Sequence, residues 1–127
     1  MIDHVSVAVS DIRKSAAFYE RVLAPLGLAK IVDRGVSVGF GKTYPELWLN
    51  LREGLAPLPQ STGVHIALRA RSEDAVRAFH AAALELGGRD AGAPGPRQAA
   101  LTTYFGAFIF DPDGNKIEAV NFSHPLQ

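Results

Sequence analysis

The sequence predicts an α+β fold built from two related βαβββ modules, and three observations predict it. Sliding the chain by 61 residues lays "HVSVAVSDIRKSAAFYERVLAPLG", residues 4–27, over "HIALRARSEDAVRAFHAAALELGG", residues 65–88, without a gap. In both stretches a strand-like period of two gives way to helical spacing at the same place. Between them "REGLAPLPQSTG", residues 52–63, carries the prolines and glycines of a linker. The chain then reads as a single domain, residues 1–127: a first module at about 1–52, a linker at about 53–62, a second module at about 63–122 and a tail at 123–127.

Each module opens on strict alternation. Val5, Val7 and Val9 in one and Val64, Ile66 and Leu68 in the other mark a strand covered on one face. The opposite face carries His4, Ser6 and Ala8, and His65, Ala67 and Arg69. Helical spacing follows at Ala16, Tyr19, Val22, Leu23 and Leu26, and at Ala75, Phe79, Ala82, Ala83 and Leu86. Ser72 suits an N-cap, with Glu73 and Asp74 in the first turn; Asp11 or Ser10 caps the first helix. Gly27 and the Gly87-Gly88 pair stop the helices.

The first module continues with strands at about 28–33, 35–41 and 46–51. In the second, "RDAGAPGPRQAAL", residues 89–101, is so rich in Gly, Pro and Ala that a short strand at most, then a mobile loop, is expected. "DPDG", residues 111–114, has Pro at the second turn position and Gly where positive φ is needed, so a hairpin joins strands at 102–110 and 115–122. A module of roughly 60 residues buries too little surface to be comfortable alone, so the halves must pack together or pair with another chain.

Composition excludes several function classes. Thirteen Lys and Arg balance thirteen Asp and Glu with no block of like charge, which argues against nucleic acid and against a basic membrane-binding face, and for a small-molecule partner. The absence of cysteine excludes disulfides, thiolate zinc sites and a cysteine nucleophile, leaving any metal to His, Asp and Glu. No apolar run approaches the ~20 residues of a membrane span and no leader pattern opens the chain, so cytoplasm is the default expectation. Neither a GxSxG nor a phosphate-loop motif is present; "GGRDAGAPG" has the wrong spacing and follows a helix.

The candidate chemistry lies on the strand faces opposite the valines. A lone histidine in an apolar strand is usually a core or surface residue, but two at matching positions, on strands related by a pseudo-two-fold axis, would converge as metal ligands do. In "NKIEAVN", Ile117 and Ala119 suit the helix-covered face, which leaves Lys116, Glu118 and Val120 on the other and makes Glu118 the leading carboxylate. In "PELWLNL", Glu46, Trp48 and Asn50 share the equivalent face. Aligning Phe40 with Phe110 and shortening the hairpin by two residues sets Glu46 against Glu118, although a Glu after Pro45 can equally be a turn residue. Trp48 would wall an apolar or aromatic ligand. Arg69 could meet an anionic substrate or simply reach solvent, and Tyr104 could offer a hydroxyl or simply pack as core. His80 and His124 are not assigned to a metal.

The His-bearing first strands, "SDIRKSAAFYERVLAPLGL", "GVHIAL" and "DPDGNKIEAV" together resemble the vicinal oxygen chelate superfamily, which groups glyoxalase I, bleomycin- and fosfomycin-resistance proteins and extradiol dioxygenases. The resemblance implies two modules forming a partly open eight-stranded mixed β-barrel with flanking helices, usually in a homodimer, around a divalent metal such as Ni, Zn, Mn, Fe or Co. It carries metal ligation to His4, His65 and Glu118, with Glu46 the nearest match to the fourth, glyoxalase-like ligand. Such a centre keeps positions open for two adjacent substrate oxygens, and Glu46 or Glu118 would take the catalytic carboxylate role.

Three functions follow from the resemblance: a metal-dependent lyase or isomerase of the glyoxalase kind, acting on a small vicinally oxygenated molecule; a ligand-sequestering protein of the bleomycin-resistance kind; and an Fe(II) extradiol dioxygenase, which needs only the first three ligands. Residues 89–101 match no substrate pattern, and the further tyrosine and histidine of the extradiol enzymes have no secure counterpart.

Overall fold

The computed structural model describes residues 1–59 and 62–122; the tail 123–127, and His124 with it, lies outside the described residues. The element order is β1 (Val5–Val9), α1 (Ile12–Leu23), a 3₁₀ turn (Ala24–Leu26), β2 (Ala29–Asp33), β3 (Ser37–Gly41), β4 (Pro45–Leu51), β5 (Ile66–Arg69), α2 (Glu73–Glu85), β6 (Arg89–Gln98), β7 (Thr103–Phe110) and β8 (Lys116–Asn121). Both modules are βαβββ.

Each module forms its own four-stranded mixed sheet, in the orders β1-β4-β3-β2 and β5-β8-β7-β6. The first strand pairs parallel with the last and the rest pair antiparallel. Among the described residues, no strand of one sheet pairs with a strand of the other. The partly open barrel expected from the resemblance is therefore two separate sheets, each ending on its first strand, and the barrel is not closed. The fold class itself stands.

What unites the modules is a shared helical layer and one turn. Asp11 caps α1 by accepting from Lys14 N, and Ser72 caps α2 by accepting from Ala75 N, so two of the N–H groups a helix leaves unpaired are satisfied. Gly27 ends the first helical segment at φ +78°, a backbone that only glycine adopts without strain. The helices pack on each other, and Tyr19, Val22, Phe18, Val76 and Phe79 join Val38, Phe40, Leu47, Leu49, Ile109 and Ile117 in one core drawn from both modules. Burying each such large side chain is worth about 1.5–3 kcal/mol, which neither module could collect alone.

The turn after β7 reaches across to the first module. Asp111, almost fully buried, accepts from Tyr19 Oη at 2.7 Å, from Asn115 Nδ2 at 2.9 Å and from the backbone of Asp113 and Asn115. Asn115 Nδ2 also donates to the Ala8 carbonyl, and Ser10 donates to Asp113. Ser10 thus serves the intermodule turn, and Asp11 caps the helix. Burial raises the Asp111 carboxyl above the usual carboxylate range despite these donors.

Residues 89–98 correct the expectation of a loop: β6 is a ten-residue strand. It lies at the outer edge of its sheet, so the prolines at 94 and 96 cost no pairing on the solvent side. Its ladder with β7 shifts register near Gly92, and the small residues admit Arg97, whose guanidinium folds back to donate to the Ala93 carbonyl.

Candidate functional site

Each sheet has one face covered by helices and one left open. On the second sheet the open face carries His65 just before β5, Ala67 and Arg69 from β5, Lys116, Glu118 and Val120 from β8, Tyr104, Gly106, Phe108 and Phe110 from β7, and Arg89 and Arg97 from β6, because Ile66, Ile117, Ala119, Ala107 and Ile109 point into the core. Alternation in the sequence predicts the first two sets, and the structure agrees.

Glu118 is the centre of this face. It is 3% exposed, yet it does not point into the apolar core. Its Oε1 lies 3.3 Å from His65 Nε2 and its Oε2 accepts from Tyr104 Oη at 2.6 Å. Gly106 makes this possible: a Cβ there would stand 2.8 Å from the Tyr104 ring and 3.2 Å from Glu118 Oε2. Burial, and then the hydrogen bond to Glu118 and that residue's charge, push the Tyr104 hydroxyl up to about 12, so it stays a donor at neutral pH. The Phe108 ring holds the His65 imidazole edge-on at 5.4 Å, and the Lys116 ammonium lies 4.7 Å from the same ring. Tyr104 stacks on Phe122, over which Arg69 lies in turn.

His4 is elsewhere. It precedes β1 on the open face of the first sheet, exposed, with Nδ1 2.7 Å from Asp3 Oδ1. Around it an open cleft of about 200 Å³ is lined by Ser6, Arg34, Ser37, Trp48 and Asn50, with Arg34 laid over the indole. Among the described residues, no three side chains of His, Cys, Asp and Glu come together as a metal-holding group. Within one chain the two imidazoles lie on the open faces of separate sheets: the α1–α2 packing and the 111–115 turn set the relation of the modules, and a sequence repeat carries no information about that relation.

The register also corrects the pairing of Glu46 with Glu118. Val5 stands opposite Leu47 on β4, and Ile66 opposite Ile117 on β8. Since Val5 and Ile66 are repeat equivalents, Trp48 is the counterpart of Glu118 and Glu46 that of Lys116. The opposite strands agree, with Gly39 facing Trp48 and Phe108 facing Glu118. Gly39 clears space for the indole, as Gly106 does for the carboxylate. Glu46 is exposed at the start of β4, in a cleft of about 310 Å³ shared with Lys42, Leu28, Leu68 and Arg69. It does not join His65 and Glu118.

Residues 1–119 match the Glyoxalase/Bleomycin resistance protein/Dioxygenase superfamily. The chain belongs to this superfamily. A glyoxalase/bleomycin resistance protein from Albidiferax ferrireducens superimposes with a TM-score of 0.85 at 30% identity, covering 96% of this chain and 99% of that one. The fosfomycin resistance protein FosX of Listeria monocytogenes gives 0.68 at 18% identity, over 97% and 93% of the two chains. A glyoxalase I variant from Zea mays gives 0.71 at 24% identity, over 93% of this chain and 45% of that one. The last two share the superfamily fold. No curated protein matches the chain.

The chain presents these side chains in two parts: on one open face a His65–Glu118 pair, its carboxylate buried and its imidazole exposed, and on the other an exposed His4. The residue types fit a divalent ion, and two of them already face each other, but one chain by itself assembles only the pair. Sequence reasoning did not assign Arg97, Arg89, Phe108 or Arg34. Alternation from Tyr104 points to Phe108, whereas Arg97 and Arg89 are hidden by the composition of β6. No helix among the described residues is long and apolar enough to cross a membrane.

Proposed function

We propose that the protein is a metal-dependent enzyme that binds a small molecule through two adjacent oxygens, at a site to which one copy contributes His65 and Glu118 and a second copy contributes His4. The observation that carries this reading is the His65–Glu118 contact at 3.3 Å, in which a carboxylate is held away from solvent without entering the apolar core. A divalent ion at these donors would supply charge to stabilise an oxyanion on the bound molecule. The chain's own part is orientation. Tyr104 holds Oε2, which leaves Oε1 toward His65; Phe108 fixes the imidazole plane; Gly106 keeps the space open. Outer contacts of this kind govern how tightly ligands hold a metal. The unpaired outer sides of β1 and β5 support a homodimer that brings His4 of one copy to the pair of the other.

Trp48 favours a second reading within this one. Because an indole stands at the register position matching Glu118, the donor set is two histidines and one carboxylate, which suits the Fe(II) dioxygenase form over a glyoxalase-like lyase or isomerase with a fourth, movable glutamate.

The test is metal content. Protein purified without a histidine tag should hold about one divalent ion per chain, and His65→Ala or His4→Ala should lose it. Mixing the two variants should restore part of the binding, because mixed dimers rebuild one intact site. A wild type that stays empty when offered Ni, Zn, Mn, Fe and Co retires the metal reading, and absence of restoration retires the two-copy site. Ligand binding that survives replacement of both His4 and Glu118 would make the protein a sequestering module. Oxygen uptake with catechols after anaerobic Fe(II) loading would select the dioxygenase.

A further inference from the structure

The chain as a whole is neutral, but its charges are not evenly placed. Among the described residues, the ion pairs of arginine and lysine involve the two helices and β2: Arg13–Asp33, Arg21–Glu85, Lys30–Glu20, Lys30–Asp33 and Arg77 with Glu73 and Asp74. The open face of the second sheet is different. It presents Arg69, Arg89, Arg97 and Lys116, none within ion-pair reach of a carboxylate among the described residues, and a single acid, Glu118, already engaged by His65 and Tyr104.

These cations rest mainly on aromatic rings. Arg69 lies 5.4 Å from the Phe122 centroid, Arg89 4.9 Å from Phe110 and Lys116 4.7 Å from Phe108. The fourth, Arg97, flanks Tyr104 across the β6–β7 ladder and donates to the Ala93 carbonyl. A cation on a ring face is held in place while its remaining N–H groups stay available. Four positive charges around a single buried, hydrogen-bonded carboxylate make a field that concentrates anions, and rings beside guanidinium groups add a flat apolar surface. Scattered surface cations would need no explanation, but here they share one face with the donor pair and lack the acidic partners that the helical side provides. Arg34 over Trp48 repeats the arrangement on the other sheet, 5.5 Å from the centroid.

We propose that the ligand of this face is an aromatic carboxylate: a planar ring laid against the Phe108–Tyr104–Phe122 row, with its anionic group met by Arg97, Arg69 or Lys116. The inference rests on the reading of this face as the ligand site and deepens it by naming the charge and shape of the ligand. It does not require that a metal be bound.

The experiment is calorimetric titration of the full, untagged chain, stripped of metal, with three probes that share two adjacent ring hydroxyls and differ chiefly in charge: 3,4-dihydroxybenzoate, catechol and dopamine. The anion should bind about tenfold tighter than catechol and dopamine weakest, with the ratio shrinking as salt is raised. Arg97→Gln and Lys116→Gln should each pull the anion-to-catechol ratio toward one, whereas Arg97→Lys should retain it. Melting curves show that each variant is folded, and two independent positions keep the test open should one variant fail to fold. Equal affinity for the three probes, tightest binding of dopamine, no binding of any probe, or a ratio that ignores both neutralising variants overturns the proposal. Failure of the metal reading would show instead as an ion-free protein that still ranks the probes by charge.

Discussion

Tyr104 donates to Glu118 across the β7–β8 ladder at 2.6 Å, and this one bond keeps a carboxylate fixed on a sheet face otherwise populated by cations and rings. Tyr104→Phe removes the donor and keeps the ring on Phe122. Apparent affinity for Zn or Co should fall about 10-fold or more, as loss of an outer hydrogen bond to a ligand does, with little change in the melting temperature. Metal titration beside a melting curve separates this positioning role from a structural one; unchanged affinity would dismiss it.

Gly106→Ala tests the same geometry from the other side. The added methyl would stand 2.8 Å from the Tyr104 ring and 3.2 Å from Glu118 Oε2, so one of them must move. Overpacking of this kind costs about 1–3 kcal/mol. Urea unfolding should report that loss, and metal uptake should fall with it; wild-type values for both would mean that the face has more room than the geometry allows.

Tyr19→Phe should weaken the bond between the modules. It leaves the buried Asp111 short of a donor, and an unsatisfied buried group costs about 1–3 kcal/mol. Equilibrium urea curves would measure it, and the loss should exceed that of Phe replacement at the half-exposed Tyr44.

His80 pins α2 to β6 through Asp90, at 2.7 Å from Nε2 to Oδ1. The His80 hydrogen bond, and after it the Gly92 N–H, hold the Asp90 carboxyl below its ordinary 3.8. Its contribution is therefore fully present above that value and is lost as pH falls through the lower folded value. Asp90 is exposed, so solvent screening keeps the effect within about 1 kcal/mol. Denaturation between neutral and strongly acidic pH should show Asp90→Asn closing the gap to wild type only at the acid end; a constant gap would contradict the assignment.

Trp48→Glu would restore a carboxylate at the register position matching Glu118. If the metal centre joins the two open faces, this variant should hold its ion more tightly, by about tenfold or more. Competition with a chelator reads the difference, and an unchanged or weaker hold would argue that Trp48 does not border the ion.

Much of the fold was legible in the residues because alternation and helical spacing are local signals. His4, His65 and Glu118 were placed on the open faces by period two alone, and Ser72 by its cap position. What failed was not local. The relation of the two sheets depends on contacts such as Tyr19–Asp111 and Asn115–Ala8, 92 and 107 residues apart in sequence, which no periodicity encodes. The Glu46 alignment failed because a gapped match of phenylalanines cannot see the ladder that sets Trp48 opposite Gly39. Strand β6 was missed because Gly and Pro read as breakers, whereas an outer strand tolerates both.

The prolines of β6 have a further effect. A bare strand edge invites other chains to dock and extend the sheet, and Pro94 and Pro96 deny the outermost strand two of the donors such growth would use. Fibre-like stacking from that side is thereby discouraged. The edge left without such a guard is the far one, β5, beside His65, so a second copy that extended this sheet would meet it there and bring its own side chains to that imidazole.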